Sequence, residues 1–333
     1  MDPSIHRLPG KQGSWYLEDP AALRAQLKGF LDRVPAQLDG VDLPIPRARI
    51  IIAPHAGYSY SGKAAAWAYK ALDLSAAKRV FILGPSHTYY LHGCAVTKYH
   101  HYDTPFGPLS VDRMAIRNIL EQERNITEIP TRKDDGEHSL EMHLPYLYLR
   151  LEETFGSDPS KFPPIVPLLI GDGNMDEERQ IGLWLVEFMK DPETAFIISS
   201  DFCHWGEHFS YRPYNAKAER GGLLTQVSSR NPPPPDGMPI HKTIKMLDDM
   251  AIDAIKTGEH RAFLANLAYS KNTVCGRHPI GVAMAAMEML KQRSEEHSSG
   301  EEGKFKFVRY ERSSYVEEVD DSSVSYASAY AVM

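Results

Sequence analysis

Four short, continuously apolar segments constrain the fold of this chain more than any other feature. They lie at Ile50–Ala53, Val80–Leu83, Ile165–Ile170 and Ala195–Ile198. Unbroken apolar runs of this length are typical of strands that are buried on both faces of a parallel sheet. The sequence therefore predicts four buried strands.

Helical patterns separate these strands and continue after them. They are predicted at Gly62–Leu72, Ser139–Glu153, Met175–Lys190, Lys242–Lys256, Arg261–Leu267 and Pro279–Lys291. Two later segments, Lys304–Tyr310 and Val324–Val332, alternate in polarity or carry β-branched residues and are predicted as strands. This alternation predicts an α/β fold with a mixed, largely parallel central sheet flanked by helices.

Composition excludes several classes of protein. An apolar fraction of 42% supplies a substantial core, and a net charge of −7 without a basic run argues against nucleic-acid binding. Residues 1–19 lack the apolar core of a secretory signal, and no apolar run approaches the ~20 residues that cross a bilayer. We therefore expect no membrane insertion and a cytoplasmic location, with the nucleus as an alternative.

The chain is predicted to form a single domain over residues 1–333. Two polar segments, at residues 228–239 and 293–304, have the composition of surface insertions. The first contains a run of four prolines, which favours extended structure, and the second is rich in charge, serine and glycine. Neither separates two self-sufficient cores.

Histidines follow three of the predicted strands directly. His55 and His87 come after the first two, and Asp201 and His204 come after the strand at 195–198. Ligands of open α/β sheets gather at the carboxyl ends of the strands. A single histidine is more often a hydrogen-bonded surface residue, but three at equivalent strand ends favour a metal site, since imidazole is the commonest metal ligand.

Three cysteines are too few for a disulfide framework. Cys275 precedes the helix predicted near Pro279, where backbone N–H groups would favour a thiolate, so it is a candidate ligand or nucleophile. A buried, inert thiol is the alternative. That alternative fits Cys94 and Cys203 better, because Cys94 starts a predicted strand and alternation points Cys203 away from Asp201.

Two acids and a histidine cluster at the start of the helix predicted from Ser139. Glu137, His138 and Glu141 are spaced so that they share a helical face. They are candidates for outer partners that fix the tautomer of ligand imidazoles. Acids placed near the positive end of a helix dipole explain the glutamates nearly as well.

Aromatic side chains crowd the same loops. They are Tyr58, Tyr60, Tyr89, Tyr90, Phe202 and Trp205. A cleft that accepts a planar group and the simple packing of loops on the sheet edge are both consistent with this pattern.

Seven motifs spread along the chain resemble one family. They are Gly-Ser-Trp-Tyr at 13–16, Ile-Ile-Ala-Pro-His-Ala-Gly-Tyr at 51–58, Phe-Ile-Leu-Gly-Pro-Ser-His at 81–87, Glu-His-Ser-Leu-Glu-Met-His-Leu-Pro-Tyr at 137–146, Ser-Ser-Asp-Phe-Cys-His-Trp-Gly at 199–206, Cys-Gly-Arg-His-Pro-Ile-Gly at 275–281 and Asp-Ser-Ser-Val-Ser-Tyr-Ala at 321–327. On these motifs the chain resembles the Memo family. The resemblance implies a fold similar to the LigB-type class III extradiol dioxygenases, whose metal is non-haem iron.

The resemblance also implies a mononuclear metal site. His55, His87 and His204 match the cleft histidines of the family, and Asp201 and Cys275 match its acid and thiol. We expect His55, His87 and Cys275 to be the ligands and His204 and Asp201 the catalytic residues. From the residues themselves, His138, Glu141, Tyr58 and Arg277 are expected around them. In the dioxygenases two histidines and a glutamate hold Fe(II), and Cys275 resembles the glutamate position. Because thiolate is the softer ligand, we expect iron or copper, with zinc as a third candidate.

Two functions are consistent with this site. The first is metal-dependent redox activity or metal handling linked to signalling and cell motility, in which His204, oriented by Asp201, moves a proton. The second is a non-catalytic adaptor that binds phosphotyrosine-type peptides, with Arg277 facing the phosphate and signalling proteins as partners. A zinc hydrolase ranks third.

Overall fold

The computed structural model describes residues 5–122, 126–293 and 302–333. Within them the strands are β1 His6–Arg7, β2 Gln37–Leu38, β3 Val41–Asp42, β4 Ile50–Ala53, β5 Arg79–Pro85, β6 Cys94–Val96, β7 His101–Thr104, β8 Gly107–Ser110, β9 Ile126–Glu128, β10 Ile165–Ile170, β11 Thr194–Ser199, β12 His204–Trp205, β13 Pro213–Tyr214, β14 Thr225–Gln226, β15 Phe305–Arg312 and β16 Ser323–Ala331. The helices are α1 Pro20–Leu31, α2 Tyr58–Ala71, α3 Arg113–Gln122, α4 Thr131–Gly136, α5 His138–Glu141, α6 Leu144–Phe155, α7 Met175–Lys190, α8 Ile240–Lys256, α9 His260–Ser270 and α10 Arg277–Arg293.

A mixed, largely parallel sheet of nine described strands forms the centre of the molecule. Its order is β12-β16-β4-β11-β5-β10-β6-β9, and β15 pairs with the outer part of β16. The strands β4, β11, β5 and β10 run parallel, whereas β16 and β6 are antiparallel to their inner neighbours. The predicted fold class is confirmed.

The middle of the sheet is buried because its strands are apolar on both faces. Ile197 of β11 lies opposite Ile51 of β4 and Ile82 of β5, and all three side chains have no exposed surface. Helices α7 and α10 pack against each other and against β11, while α2 packs on β4 and β16. The carboxyl ends of the parallel strands consequently lie at the same edge of the sheet.

The helix predicted over Ser139–Glu153 is interrupted. It forms α5 and then α6, with Met142 and His143 in the turn between them. Pro145 occupies the first turn of α6, where its missing N–H is tolerated, but it cannot continue a helix from the preceding residues. The break leaves His138 on a short helix of its own at the sheet edge.

Two other helices begin earlier than predicted. The helix α2 begins at Tyr58 rather than Gly62, and α10 begins at Arg277 rather than near Pro279. Proline in a first helical turn costs no hydrogen bond, so Pro279 does not mark the start. The thiol of Cys275 therefore lies two residues before α10.

The first predicted insertion lies outside the central sheet. Residues 228–239 connect β14 to α8, beside a separate apolar cluster that includes Trp205, Tyr214 and Leu247. In the second insertion, residues 294–301 lie outside the described residues.

None of the helices in the described parts of the chain combines the length and the apolar character needed to span a membrane.

Candidate metal centre

Three imidazoles converge at the carboxyl edge of the sheet. His55 follows β4, His87 follows β5, and His138 begins α5. One ring nitrogen of each lies within 4.8 Å of those of the other two. The ring of His138 is stacked on that of His87 with centroids 4.3 Å apart, and His55 lies edge-on to both. Metal-ligand geometry of this kind needs no local sequence motif.

The hydroxyl group of Ser199 fixes the tautomer of His55. The Ser199 hydroxyl donates to the Ser139 carbonyl oxygen at 2.7 Å, so its oxygen accepts from Nδ1–H of His55 at 2.6 Å. The Nε2 atom of His55 is consequently the one with a free lone pair. Since His55 is only 2% exposed, this lone pair is directed into the protein rather than into bulk water.

A buried carboxylate fixes His87 in the same way. Glu137 has no exposed surface, and its Oε1 accepts from Nδ1 of His87 at 3.0 Å while Oε2 accepts from the His87 backbone N–H at 2.7 Å. Burial alone would raise the pKa of Glu137, but the hydrogen bonds and charge of His87 and the Ser139 N–H lower it to about 2. Glu137 is therefore ionised and leaves Nε2 of His87 free to bind a metal.

The imidazoles of His55 and His138 are neutral at physiological pH. Burial, together with the neighbouring histidines, lowers the pKa of His55 well below its usual value. Burial and His87 lower the pKa of His138 to about 3. Neutral imidazole is the form that binds metals, so His55 and His138 can accept a cation without releasing protons from their rings.

The thiol of Cys275 reaches the same cluster. Its Sγ lies 3.3 Å from Nε2 of His55 and accepts from the Asp201 backbone N–H at 3.2 Å. Burial and the nearby Asp201 carboxylate raise the pKa of Cys275. The expectation of a thiolate stabilised by the following helix is therefore wrong for the metal-free protein, because burial outweighs the backbone donors.

Asp201 and His204 do not form the pair expected from the sequence. Asp201 Oδ1 accepts from the His55 backbone N–H at 2.9 Å, which fixes the loop after β4. Nδ1 of His204 instead contacts the carbonyl oxygens of Phe202 at 2.8 Å and Thr273 at 3.1 Å. Carbonyl oxygens accept only, so Nδ1 carries the proton and Nε2 of His204 is the acceptor.

Asp201 makes folding pH-dependent. Burial raises its pKa to about 7 against the opposing His55 and Ala56 backbone N–H groups. The folded state therefore binds the proton more tightly than the unfolded state does, and the contribution of Asp201 to stability falls by roughly 3 kcal/mol as pH rises from about 5 to about 8. The buried histidines oppose this trend, because their lowered pKa values make their contributions rise with pH. In Asp201→Asn, which keeps a carbonyl acceptor but cannot ionise, we therefore expect the free energy of unfolding to rise more with pH over this range than it does in the unsubstituted chain.

The matched control for this experiment is Asp320→Asn, a change at an exposed acid. Both variants and the unsubstituted chain are treated with a chelator and unfolded at each pH. Unfolding curves for Asp201→Asn that shift with pH as much as those of the control would contradict the prediction.

Two residues predicted around the metal lie elsewhere. Both Glu141 oxygens are occupied, by Arg7 at 2.8 Å and by the Tyr16 hydroxyl at 2.9 Å. Tyr58 is 1% exposed and donates to the Met142 carbonyl oxygen at 2.6 Å. Glu141 therefore anchors the N-terminal segment, and Tyr58 belongs to the core.

A cleft of about 240 Å³ adjoins the cluster. Its lining includes His87, Cys275 and Arg277, together with Tyr89 and Tyr90. Of the other predicted aromatics, Phe202 and Trp205 are fully buried and Tyr60 is 60% exposed, outside this lining. Two of the six aromatic side chains thus belong to the cleft, and the rest pack elsewhere.

Sequence reasoning missed Trp15 as a neighbour of the cluster. Its ring lies 4.4 Å from that of His138, centroid to centroid, and its carbonyl oxygen accepts from the Tyr58 backbone N–H. The residue lies about forty positions from the nearest predicted ligand, and only the Gly-Ser-Trp-Tyr motif marked it. Long-range packing, not local pattern, brings it to the site.

These features define a class. The molecule is an α/β protein whose sheet edge carries three convergent imidazoles and a thiol, a donor set suited to one transition-metal ion.

Comparison with known proteins agrees with this class. The family model described as "Memo-like protein" matches residues 7–330. The chain is 38% identical over 316 residues to "Protein memo-1 homolog" of Caenorhabditis elegans, covering 95% of this chain and 79% of the relative. It is 36% identical over 315 residues to "Protein MEMO1" of Homo sapiens, covering 95% and 93%. A MEMO1 family protein of Schizosaccharomyces pombe is 35% identical over 322 residues, covering 96% of each.

The chain belongs to the Memo family. The resemblance seen in the sequence is confirmed, and the central sheet is consistent with a fold of the LigB type.

Proposed function

We propose that this protein binds one iron or copper ion through His55, His87 and Cys275, with His138 within reach as a further ligand, and uses it in redox chemistry or metal handling linked to signalling and cell motility. The observation that carries the proposal is the convergence of the imidazole nitrogens within 4.8 Å. Ser199 and Glu137 orient two of these imidazoles with Nε2 free. Histidines that bind metals usually donate their other ring N–H to a partner of this kind.

The chemistry of the donors favours iron or copper over a hard cation. Magnesium and calcium take oxygen ligands, whereas imidazole and thiolate suit copper, iron and zinc. The Cys275 thiol must lose its proton when it binds a metal, so binding strengthens as pH rises. A reduced thiol is kept most easily in a reducing compartment, which supports a cytoplasmic location.

His204 is the residue that we assign to proton movement. It is partly buried at the same edge, and its Nδ1–H is fixed by two carbonyl oxygens. Burial lowers its pKa, so the ring is neutral and Nε2 accepts a proton from a bound ligand. A bound iron or copper ion would supply the electron transfer.

The test compares three metals in the same protein. Chelator-treated protein is reconstituted anaerobically with Fe(II), Cu(I) or Zn(II), and bound metal is measured together with oxygen uptake in the presence of ascorbate. We expect uptake only with iron or copper, and a thiolate-to-metal absorption band that Cys275→Ser removes. Equal oxygen uptake by the zinc and iron forms would contradict the redox proposal. Persistence of the band in Cys275→Ser would remove the thiol from the ligand set and leave His138 as the third ligand.

Glu137→Gln is predicted to weaken metal binding by about 10- to 100-fold, because removal of an outer partner of a ligand histidine typically costs that much. The glutamine side chain has one oxygen that accepts and one NH₂ group that donates, whereas the glutamate has two oxygens that accept. It therefore cannot accept from both the Nδ1–H and the backbone N–H of His87. Competitive chelator titration measures the affinity. Glu128→Gln, at an exposed position on β9, is the control, and equal affinities in the two variants would contradict the prediction.

A second proposal is an adaptor that binds phosphotyrosine-type peptides of signalling partners. The supporting observation is that Arg277, 44% exposed, shares the cleft with Tyr89 and the 77% exposed Tyr90. Arginine and aromatic rings together suit a phosphorylated aromatic side chain. Fluorescence polarisation with phosphorylated and unphosphorylated versions of one peptide tests it, and equal affinity for both would contradict it.

A further inference from the structure

A second group of polar side chains lines the cleft, and the metal chemistry does not use it. Arg277 and His278 lie at the start of α10, and Asp172 lies just after β10. All three border the same cavity as His87 and Cys275. A small molecule bound in the cleft next to the candidate metal centre would contact these three side chains.

The imidazole of His278 is held in place by the buried carboxylate of Glu178. Nδ1 of His278 lies 2.6 Å from Oε1 of Glu178, which is only 2% exposed, and Oε2 of Glu178 lies 2.5 Å from the buried His260. Gly281 makes room for this carboxylate, since a Cβ there would lie 2.2 Å from Oε2. The imidazole therefore has its Nε2 on the side away from Glu178.

The Nε2 atom of His278 is buried and has no hydrogen-bond partner. The Asp172 Oδ1 atom lies 3.3 Å away, and the same oxygen lies 3.5 Å from Nη2 of Arg277. The contact with His278 has the distance of an ion pair without the geometry of a hydrogen bond. A buried polar atom is unfavourable without a partner, so a better-placed acceptor would be bound here.

We propose that Arg277 and His278 form a binding site for the carboxylate of a small organic acid, and that the Asp172 side chain occupies this site in the free protein. Nδ1 of His278 faces Glu178, so the partnerless Nε2 atom is the one that a cleft carboxylate would contact. The guanidinium of Arg277 supplies a charged donor beside it.

The position of the Asp172 side chain and the volume of the cleft both support a carboxylate-binding site. Asp172 shows that a carboxylate reaches both Arg277 and His278, and its side chain is 52% exposed, so it is free to rotate towards water. A volume of about 240 Å³ accommodates a molecule of a few carbons. The inference goes beyond the proposed metal chemistry, because it requires no metal.

Calorimetric titration of the full-length, chelator-treated protein with malonate tests the inference. Malonamide is the neutral control, and inorganic phosphate is the alternative anion. We expect malonate to bind and malonamide not to bind. Arg277→Gln and His278→Asn should each weaken malonate binding by about tenfold, because the first removes the charged guanidinium and the second removes Nε2. Asparagine at 278 keeps an amide donor for Glu178 while removing Nε2.

Asp172→Asn gives the sharpest readout, because it removes the competing carboxylate. We expect it to tighten malonate binding by about tenfold, a gain that misfolding cannot produce. Arg261→Gln, which removes an exposed arginine of α9 outside the cleft lining, should change nothing. Unchanged affinity in Asp172→Asn, binding of phosphate alone, or no binding of malonate would each overturn the proposal. Metal content is measured separately, so failure here is distinguishable from failure of the metal site.

Discussion

Replacing His55 with alanine is expected to abolish stoichiometric metal binding. The protein should retain about one ion per chain, and His55→Ala should bind it more than about 100-fold more weakly, beyond the range typical of an outer partner. His55 contributes the Nε2 lone pair closest to Cys275, so its loss removes one ligand and the neighbour of another. Elemental analysis after anaerobic purification measures the stoichiometry, and competitive chelator titration measures the affinity.

The control is His100→Ala, because His100 is an exposed histidine outside the cluster. It should retain the metal of the unsubstituted protein. Adding Cys275→Ser to His55→Ala should leave no iron or copper above background. Equal metal content in the double variant, the control and the unsubstituted protein would show that the imidazoles and the thiol are not ligands.

Replacing Arg7 with methionine is expected to destabilise the fold by about 3–5 kcal/mol, the cost of removing one partner from a buried ion pair. Arg7 has no exposed surface, and it donates to Asp134 at 3.1 Å and to Glu141 at 2.8 Å. Both carboxylates are buried and would lose their counter-charge. The free energy of unfolding, from urea titration at neutral pH, measures the effect.

Arg24→Met is the matched control, because Arg24 pairs with Glu152 at a partly exposed position where such pairs contribute less than about 1 kcal/mol. Arg7 also donates to the Glu137 carbonyl oxygen at 2.7 Å. We therefore expect Arg7→Met to weaken metal binding as well, since it loosens the segment that carries Glu137. A loss of stability no larger than that of Arg24→Met would contradict the prediction.

The positions of the strands could be predicted from sequence because a buried strand is marked by a run of consecutive apolar residues. The limits of β4 and β10 agree with the prediction, as do those of α7, since an apolar run or a helical period is a property of neighbouring residues. The break between α5 and α6 was missed, because a helical period continues across Pro145 in the sequence while the backbone cannot.

The partners of the site residues could not be predicted in the same way. Glu137 and Glu141 share a segment and a chemistry, yet one orients His87 and the other binds Arg7. Their spacing is compatible with either role, and only the path of the N-terminal segment decides between them. Asp201 and His204 were expected to pair for a similar reason, and the carbonyl oxygens of Phe202 and Thr273 take the histidine instead.

The sequence by itself determined the fold class, the family and the strand ends that carry His55 and His87, because those depend on hydrophobic pattern and on motifs. Only the tertiary structure decided that His138 joins them, that Cys275 is held as a thiol, and that Asp172 lies against Arg277 and His278. The physical reason is that burial and charge at one atom depend on groups that lie from about 50 to 220 residues apart in the chain and meet only when the sheet edge is assembled.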